Sequence, residues 1–171
     1  MVAVTVAVLG VGSWGTALGL LLARNGHAVR LWGHDPDEVA PLLRDRENRR
    51  YLPGIPFPAT LGVGTDLADA LAGVELAVAA VPSHAYGATL ARLRPHLPPL
   101  AGFAWATKGL EHGSGRFLHE VTAEVLGQSW PAAVISGPSF AREVALGLPT
   151  AVTVAGRDAV HARRVAALLH G

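Results

Sequence analysis

The feature that most constrains the fold is a valine-rich run that leads directly into a glycine-rich turn near the start of the chain. The stretch VTVAVLG (residues 4–10) is apolar almost throughout, as a strand buried on both faces of a sheet is, and SWGTALGLLLARNG (13–26) follows it with a helical pattern. Gly10, Gly12 and Gly15 give the spacing G-x-G-x-x-G at the junction. A strand, this turn and a helix in direct succession indicate a dinucleotide-binding βαβ unit.

Each glycine of the motif has its own physical role in such a unit. Gly10 makes the tight turn, Gly12 lets the backbone approach a pyrophosphate, and Gly15 permits close packing of the helix against the strand. The helix then directs its free N–H groups and the positive end of its dipole at the phosphates. We therefore expect a dinucleotide at this turn, and a purely structural glycine turn is the alternative.

The same alternation of valine-rich runs and helical patterns continues along the chain. It implies βαβ units, a parallel sheet and right-handed crossovers, and hence a doubly wound, mostly parallel, Rossmann-type α/β fold with helices on both faces over residues 1–171. The predicted strands are 4–10, 28–32, a short one after the loop 48–62, 75–81, 102–107, 132–136 and 150–155; the predicted helices are 13–26, one starting at Asp35-Pro36, one starting at Asp66, 84–94, 117–127, 139–147 and 157–169.

Composition excludes several classes of function. The net charge is +1 and there is no basic tail, so nothing indicates a nucleic-acid partner. The chain has no cysteine, which rules out disulfides and thiolate metal sites and fits a reducing cytoplasm. No apolar run reaches the roughly 18–20 residues that span a bilayer, so we predict no membrane insertion. We predict no metal site.

Polar and conformationally special residues follow three of the predicted strands. VPSHAYG (81–87), TKGLE (107–111) and SGPSFA (136–141) each come at or just after a strand end. In an open parallel sheet, ligands bind beyond the carboxyl ends of the strands. Pro82 and Pro138 are suited to rigid turns beside a flat ligand, because neither can continue a strand.

Lys108 is the only lysine among 14 Lys and Arg residues. At a strand end it can serve as a point charge for a phosphate or as a proton donor to a carbonyl, and a solvated surface lysine is the alternative. Gly137 and Ser139 resemble a second anion cradle, with an ordinary helix N-cap as the alternative for Ser139. For His84 we favour a polar helix-start residue over a catalytic role.

The residues after the second strand bear on the choice of cofactor. Gly33, His34 and Asp35 follow Trp32, so no carboxylate stands directly at the strand end to repel a 2′-phosphate. His34 is placed to contact that phosphate or to stack on adenine. Asp35 is interpreted as the N-cap of the next helix in preference to a ribose ligand. NADPH is therefore permitted and NADH is not excluded.

Six motifs together resemble bacterial NAD(P)-dependent glycerol-3-phosphate dehydrogenase, in the right order and spacing through nearly all of the chain. They are GVGSWGTALGLLLARNGH, LWGHDP, NRRYLPGI, VPSH, WATKGLE and VISGPSFAREVALGLPTAV, of which WATKGLE and SGPSFA are far more specific than the glycine motif. The resemblance implies hydride transfer between NADH or NADPH and a small phosphorylated triose, interconverting sn-glycerol 3-phosphate and dihydroxyacetone phosphate for phospholipid synthesis in the cytoplasm.

The resemblance also implies roles for individual residues. In the family, positions 34 and 35 can both be basic, and Asp35 departs from that pattern. The implied cofactor contacts, besides the glycine turn and Pro82, are Ser13, Trp14, His34 and Ala141, with Tyr51 as a weaker candidate; Lys108 would meet both cofactor and substrate, and Gly137 and Ser139 would line the substrate site.

Family members are about twice as long and continue into a C-terminal helical domain. In the family that domain carries the lysine that acts as general acid and base, and Lys108 matches the other, binding lysine. We therefore expect no catalytic residue in this chain, which would be the cofactor domain of a longer enzyme, barely active alone, with its own C-terminal domain and a possible homodimer as partners. The alternatives are another reductase of the same superfamily, of the hydroxyacid or ketopantoate type, and a free-standing dinucleotide-binding module without catalysis.

Overall fold

Seven strands form one sheet, and helices cover both of its faces. The computed structural model describes residues 2–170, so Gly171, the residue at which the sequence stops, lies outside the described residues. In chain order the elements are β1 (Thr5–Leu9), α1 (Ser13–Arg24), β2 (Ala28–Trp32), α2 (Pro36–Asp45), β3 (Leu61–Gly64), α3 (Leu67–Leu71), β4 (Leu76–Ala79), α4 (Ser83–Leu93), a 3₁₀ turn (Arg94–His96), β5 (Gly102–Trp105), α5 (Leu118–Leu126), β6 (Ala132–Ser136), α6 (Ala141–Leu146), β7 (Thr153–Gly156) and α7 (Ala159–Leu169).

The strand order is β3-β2-β1-β4-β5-β6-β7, and all pairs but the last are parallel. The chain moves outward from β1 to β3, returns to the other side of β1 and moves outward again. This confirms the predicted doubly wound, mostly parallel α/β fold. The point of reversal lies between β1 and β4, where ligands bind in such sheets.

The core consists of two apolar layers, one on each face of the sheet. Along β1, Val6 and Val8 pack into the layer under α1 and α7, while Ala7 and Leu9 pack into the layer under α3 and α4. All four side chains are fully buried. A strand with neighbours on both faces must be apolar at every position, which explains why VAVL does not alternate with polar residues.

Aspartates begin three of the helices through their side chains. The carboxylate of Asp35 accepts a hydrogen bond from the Asp37 N–H (2.9 Å), which confirms the interpretation of Asp35 as an N-cap. Asp66 begins α3 and Asp158 begins α7 in the same way.

The last strand departs from the expectation of a parallel sheet, because β7 pairs with β6 antiparallel. The connection between them contains one helix, α6. Just before β7, the Ala151 carbonyl accepts a hydrogen bond from the hydroxyl of Ser139, which lies just after β6. The chain therefore remains near the carboxyl edge and enters β7 from there.

No helix within residues 2–170 has the length and apolar character needed to cross a membrane.

Candidate functional site

The glycine turn joins β1 to α1 at the carboxyl edge of the sheet, and its three glycines meet different surroundings. Gly10 has a φ of +121°, and a Cβ there would lie 2.6 Å from the Ala80 carbonyl oxygen. A Cβ on Gly15 would overlap the Gly10 carbonyl oxygen. Around Gly12, by contrast, a Cβ would meet no atom within 4 Å. Protein atoms therefore pack closely against Gly10 and Gly15, whereas the space beside Gly12 is open.

The helix α1 starts at this opening. Gly12 is its N-cap, and the Gly12 carbonyl accepts from the Thr16 N–H at 3.0 Å. Ser13 and Trp14 form the first turn and are half-buried. The N–H groups of a first turn have no partner inside the helix, so they are available to an anion beside Gly12.

The end of β2 packs against one side of the turn. A Cβ on Gly33 would lie 2.6 Å from a methyl of Val39 and 2.9 Å from a methyl of Val11, so only glycine fits there. His34 follows and is exposed. The Asp35 carboxylate is occupied by the start of α2, which leaves His34 as the first exposed side chain after β2.

The loop between α2 and β3 borders the same side. Tyr51 is 40% exposed, and the Arg50 guanidinium lies 5.1 Å from its ring centre. Arg50 also pairs with Glu38 (3.2 Å). Arg142 donates a hydrogen bond to the Pro53 carbonyl (3.2 Å), which joins this loop to the start of α6, where Ala141 is half-buried.

Lys108 borders the opposite side of the turn. It is exposed, and its Nζ lies 5.6 Å from the centre of the Trp14 ring, within the range of a cation–π contact. The preceding residue, Thr107, is buried and donates to the Val81 carbonyl at 2.8 Å. That bond ties the end of β5 to the turn that contains Pro82, which is exposed and caps α4.

The segment after Lys108 is fixed by Glu111. Its carboxylate accepts hydrogen bonds from the Ser114 hydroxyl and from the Arg116 guanidinium, and these bonds lower the pKa of Glu111. Gly109 starts the segment with a φ of +93°. Because Glu111 is ionised at neutral pH, these bonds persist there and help to hold the backbone beside Lys108.

A cleft of about 890 Å³ opens on the far side of Lys108. Lys108, Gly109, Ser136 and Gly137 are among the residues that line it, together with apolar side chains such as Trp130 and polar ones such as His119 and Arg157. The glycine turn is not part of its wall. Lys108 therefore lies between two spaces, the open turn on the Trp14 side and the cleft on the Gly137 side.

The position of Ser139 differs from two expectations that were based on the sequence. The helix predicted over 139–147 begins at Ala141, so Ser139 is neither at a helix start nor its N-cap. The Phe140 N–H donates to the Glu143 carboxylate (3.4 Å) instead. The Ser139 hydroxyl donates to the Ala151 carbonyl (2.6 Å), and a Cβ on Gly137 would lie 2.7 Å from that same oxygen. These two residues thus fasten the end of β6 to the segment that enters β7.

The structure brings together Ser13, Trp14 and Lys108 at the glycine turn, and Lys108 with Gly137 at the cleft. Pro138 and His84 are exposed. Sequence reasoning missed Thr107 and Asn48, whose partners Val81 and Val11 lie 26 and 37 residues away along the chain. No local pattern reveals such contacts. Within residues 2–170, no group of three or more His, Asp and Glu side chains is arranged to hold a metal ion.

Comparison with known proteins gives one family. Residues 5–162 match the family model described as NAD-dependent glycerol-3-phosphate dehydrogenase N-terminus. The chain is 56% identical over 166 residues to the glycerol-3-phosphate dehydrogenase (NAD(P)+) of Xanthomonas campestris pv. campestris strain B100, covering 97% of this chain and 49% of that protein. The chain thus spans about half the length of the curated relatives it matches.

Solved structures agree with the sequence comparison. The crystal structure of glycerol-3-phosphate dehydrogenase from Coxiella burnetii superposes with a TM-score of 0.93 at 47% identity, covering 99% of this chain and 51% of that one. The 3-hydroxyisobutyrate dehydrogenase of Mycobacterium tuberculosis superposes with a TM-score of 0.75 at 17% identity, covering 98% of this chain and 51% of that one. The second likeness shows the fold alone.

Proposed function

This chain belongs to the family of NAD-dependent glycerol-3-phosphate dehydrogenase N-terminal domains, and from that membership we propose that it is the cofactor-binding half of an enzyme that interconverts sn-glycerol 3-phosphate and dihydroxyacetone phosphate. When bound, the nicotinamide cofactor would supply a hydride in its reduced form, NADH or NADPH, and would accept one in its oxidised form, NAD+ or NADP+. The residues of this chain bind the cofactor, orient it and hold the phosphorylated substrate beside it.

The glycine turn fits a dinucleotide. The space above Gly12 is free of protein atoms to 4 Å, and a side chain there would fill it. The first-turn N–H groups at Ser13 and Trp14 are donors of the type that binds pyrophosphate. We propose that the pyrophosphate lies against Gly12, with Gly10 and Gly15 shaping the turn beneath it.

The remaining cofactor contacts follow from what borders the turn. We assign the adenosine side to the edge formed by His34 and Tyr51. We assign the nicotinamide side to Trp14, Pro82 and Lys108, with Ala141 completing the wall at the start of α6. With Asp35 occupied by its helix, this arrangement accepts either NADH or NADPH.

The position of Lys108 is the observation that carries the substrate assignment. Its ammonium lies against Trp14 and also lines the cleft that Gly137 borders, so one cation reaches both spaces. A compact ammonium is suited to a phosphate as a point charge. We propose that it binds the triose phosphate, with Gly137 and Ser139 as neighbours, and that proton transfer to the substrate oxygen requires a group outside this chain.

Equilibrium binding tests the proposal. NADH and NADPH are titrated into the chain, and binding is followed by tryptophan fluorescence, because Trp14 adjoins the turn. Glycerol 3-phosphate is then added to the NAD+ complex of the wild type and of Lys108→Ala. We expect dinucleotide binding in both proteins and a response to glycerol 3-phosphate in the wild type alone. Undetectable binding of both dinucleotides would contradict the cofactor assignment. An equal response of Lys108→Ala to glycerol 3-phosphate would mean that Lys108 is an ordinary surface lysine.

A further inference from the structure

We propose that Asn48 is a positioning residue for the cofactor pyrophosphate, which it serves by fixing the peptide bond between Val11 and Gly12. The inference rests on the proposed dinucleotide site. Asn48 lies in the loop after α2 and is only 1% exposed. It touches no space that a ligand would enter, so any effect on binding must pass through the turn.

The side chain of Asn48 joins the loop to the glycine turn. Its Nδ2 donates to the Val11 carbonyl (2.9 Å) and to the Thr16 hydroxyl (2.8 Å). The Thr16 hydroxyl lies 3.3 Å from the same Val11 carbonyl and donates to it. Both hydrogens of the amide are used, and the Val11 carbonyl receives two donors from the protein interior.

This arrangement determines where the next N–H points. A peptide bond is planar and trans, so its N–H points opposite to its C=O. The Val11 carbonyl is held inward by Asn48 and Thr16, so the Gly12 N–H is directed outward. Next to this N–H, the position that a Cβ of Gly12 would take has no atom within 4 Å outside the neighbouring residues of the chain. Asn48 thus aims a backbone donor at the proposed pyrophosphate position.

The other half of Asn48 shapes the loop itself. Its Oδ1 accepts from the Tyr51 N–H (3.3 Å), and its backbone carbonyl accepts from the Leu52 N–H (2.8 Å). The Tyr51 N–H also lies 3.3 Å from the Asn48 backbone carbonyl, so both backbone bonds to this segment are kept in Asn48→Ala. The Val11 carbonyl, by contrast, loses the Asn48 amide altogether in that variant.

The test separates phosphate positioning from general loss of structure. Affinities of NADH, ADP-ribose and adenosine are measured by calorimetry for the wild type and Asn48→Ala. NADH and ADP-ribose carry the pyrophosphate, whereas adenosine does not. We expect NADH and ADP-ribose, the two ligands with a pyrophosphate, to bind about tenfold more weakly, as loss of one charge-assisted hydrogen bond predicts, and adenosine to bind as in the wild type.

The chain offers a matched control in its only other asparagine, Asn25, which donates to the Leu168 carbonyl (2.9 Å) far from the turn. Asn25→Ala should lower the thermal midpoint and leave all three affinities unchanged. If Asn48→Ala does not fold, Thr16→Val takes its place; it removes one acceptor of Asn48 and one donor to Val11, and should weaken the same two ligands to a smaller extent.

The outcomes are distinct. Weaker binding of NADH and ADP-ribose with an unchanged affinity for adenosine supports the proposal. An unchanged affinity for ADP-ribose in the folded variant, or an equal loss of affinity for adenosine, overturns it while leaving the assigned cofactor site intact. If the wild type binds neither NADH nor ADP-ribose, the proposed function fails, and this inference fails with it.

Discussion

At the residue scale, the three glycines of the turn should respond differently to a methyl group, because only two of them have neighbours. We expect Gly15→Ala to cost roughly 2–4 kcal/mol of unfolding free energy, since its Cβ would overlap the Gly10 carbonyl. Gly12→Ala should leave stability unchanged, because Gly12 has a φ of −69° that alanine adopts, but should abolish dinucleotide binding. Urea unfolding and NADH titration on both variants check this pair. Normal NADH affinity in Gly12→Ala would contradict the assigned position of the pyrophosphate.

The exposed His34 should set part of the cofactor preference. His34→Asp places a carboxylate directly after β2, where it can accept from a ribose hydroxyl and repels a 2′-phosphate. We expect NADPH affinity to fall about tenfold relative to that of NADH. The matched variant is Asp35→Asn, which keeps the helix cap and should leave the ratio of affinities unchanged. A ratio that moves in Asp35→Asn instead would assign the ribose to Asp35.

Sequence reasoning predicted the place of those candidate residues whose position follows from the fold alone. Gly10, Gly12 and Lys108 follow the buried strands β1 and β5, so the doubly wound topology brings them to one edge of the sheet. The sequence did not predict the contacts of Asn48 and Thr107, because these contacts are made with carbonyls of distant segments. The role of Ser139 was predicted wrongly because a serine after Pro138 is typical of a helix N-cap. In the structure, its hydroxyl donates to the Ala151 carbonyl instead.

At the scale of elements, a buried pair of hydroxyls links α4 to α5. The Thr122 hydroxyl donates to the Leu118 carbonyl (2.7 Å), so the fully buried Tyr86 must donate to Thr122 (2.7 Å). Burial raises the pKa of Tyr86, which keeps it a donor. Thr122→Val should therefore cost about 1–3 kcal/mol, and Tyr86→Phe less, because Thr122 keeps its carbonyl partner.

Chemical unfolding of both variants and of the double variant gives the coupling between the two hydroxyls. A larger cost for Tyr86→Phe than for Thr122→Val would reverse the assigned donor and acceptor.

The start of α7 should make stability depend on pH. The Asp158 carboxylate accepts from the backbone N–H groups of His161 and Val160, and these bonds lower the pKa of Asp158. A lowered folded-state pKa means that the contribution is present above the unfolded-state pKa and is lost as pH falls through the folded-state value.

We therefore expect the wild type to exceed Asp158→Asn in stability at pH 7, and the difference to shrink below about pH 4. Urea unfolding at both pH values checks the sign. A difference that grows on acidification would mean that the carboxyl is not held in its ionised form by the helix.

Periodicity predicted the type of every helix and strand but not the direction of the last strand. The pattern of TAVTVA is that of any strand, and it carries no information on which neighbour lies beside it. The direction of β7 depends on the contact between Ser139 and Ala151, which keeps the chain at the end of β6, and no local pattern reveals that contact. Sequence reasoning also began the intervening helix two residues early, predicting 139–147 where the structure has Ala141–Leu146.

At the scale of the whole molecule, this chain should bind the cofactor without catalysing the reaction at the rate of a full-length relative. The chain spans 49% of the Xanthomonas relative, and the proposed mechanism draws its proton donor from outside this chain. We expect NADH affinity comparable to that of the full-length relative, but dihydroxyacetone phosphate reduction at least about 100-fold slower, as loss of a general acid predicts. Following NADH oxidation with both proteins at equal concentration measures the ratio. Comparable rates would place a general acid within these 171 residues.

The single lysine beside Trp14 also allows this protein to be labelled chemically at a known position. Apart from the α-amino group, the Lys108 ammonium is the only primary amine of the chain, and it stands exposed at the mouth of the site. An amine-acylating reagent would therefore mark Lys108 as the only side chain, besides the α-amino group. The extent of acylation with and without ligand would report occupancy directly, as a single-residue footprint that needs no engineered label.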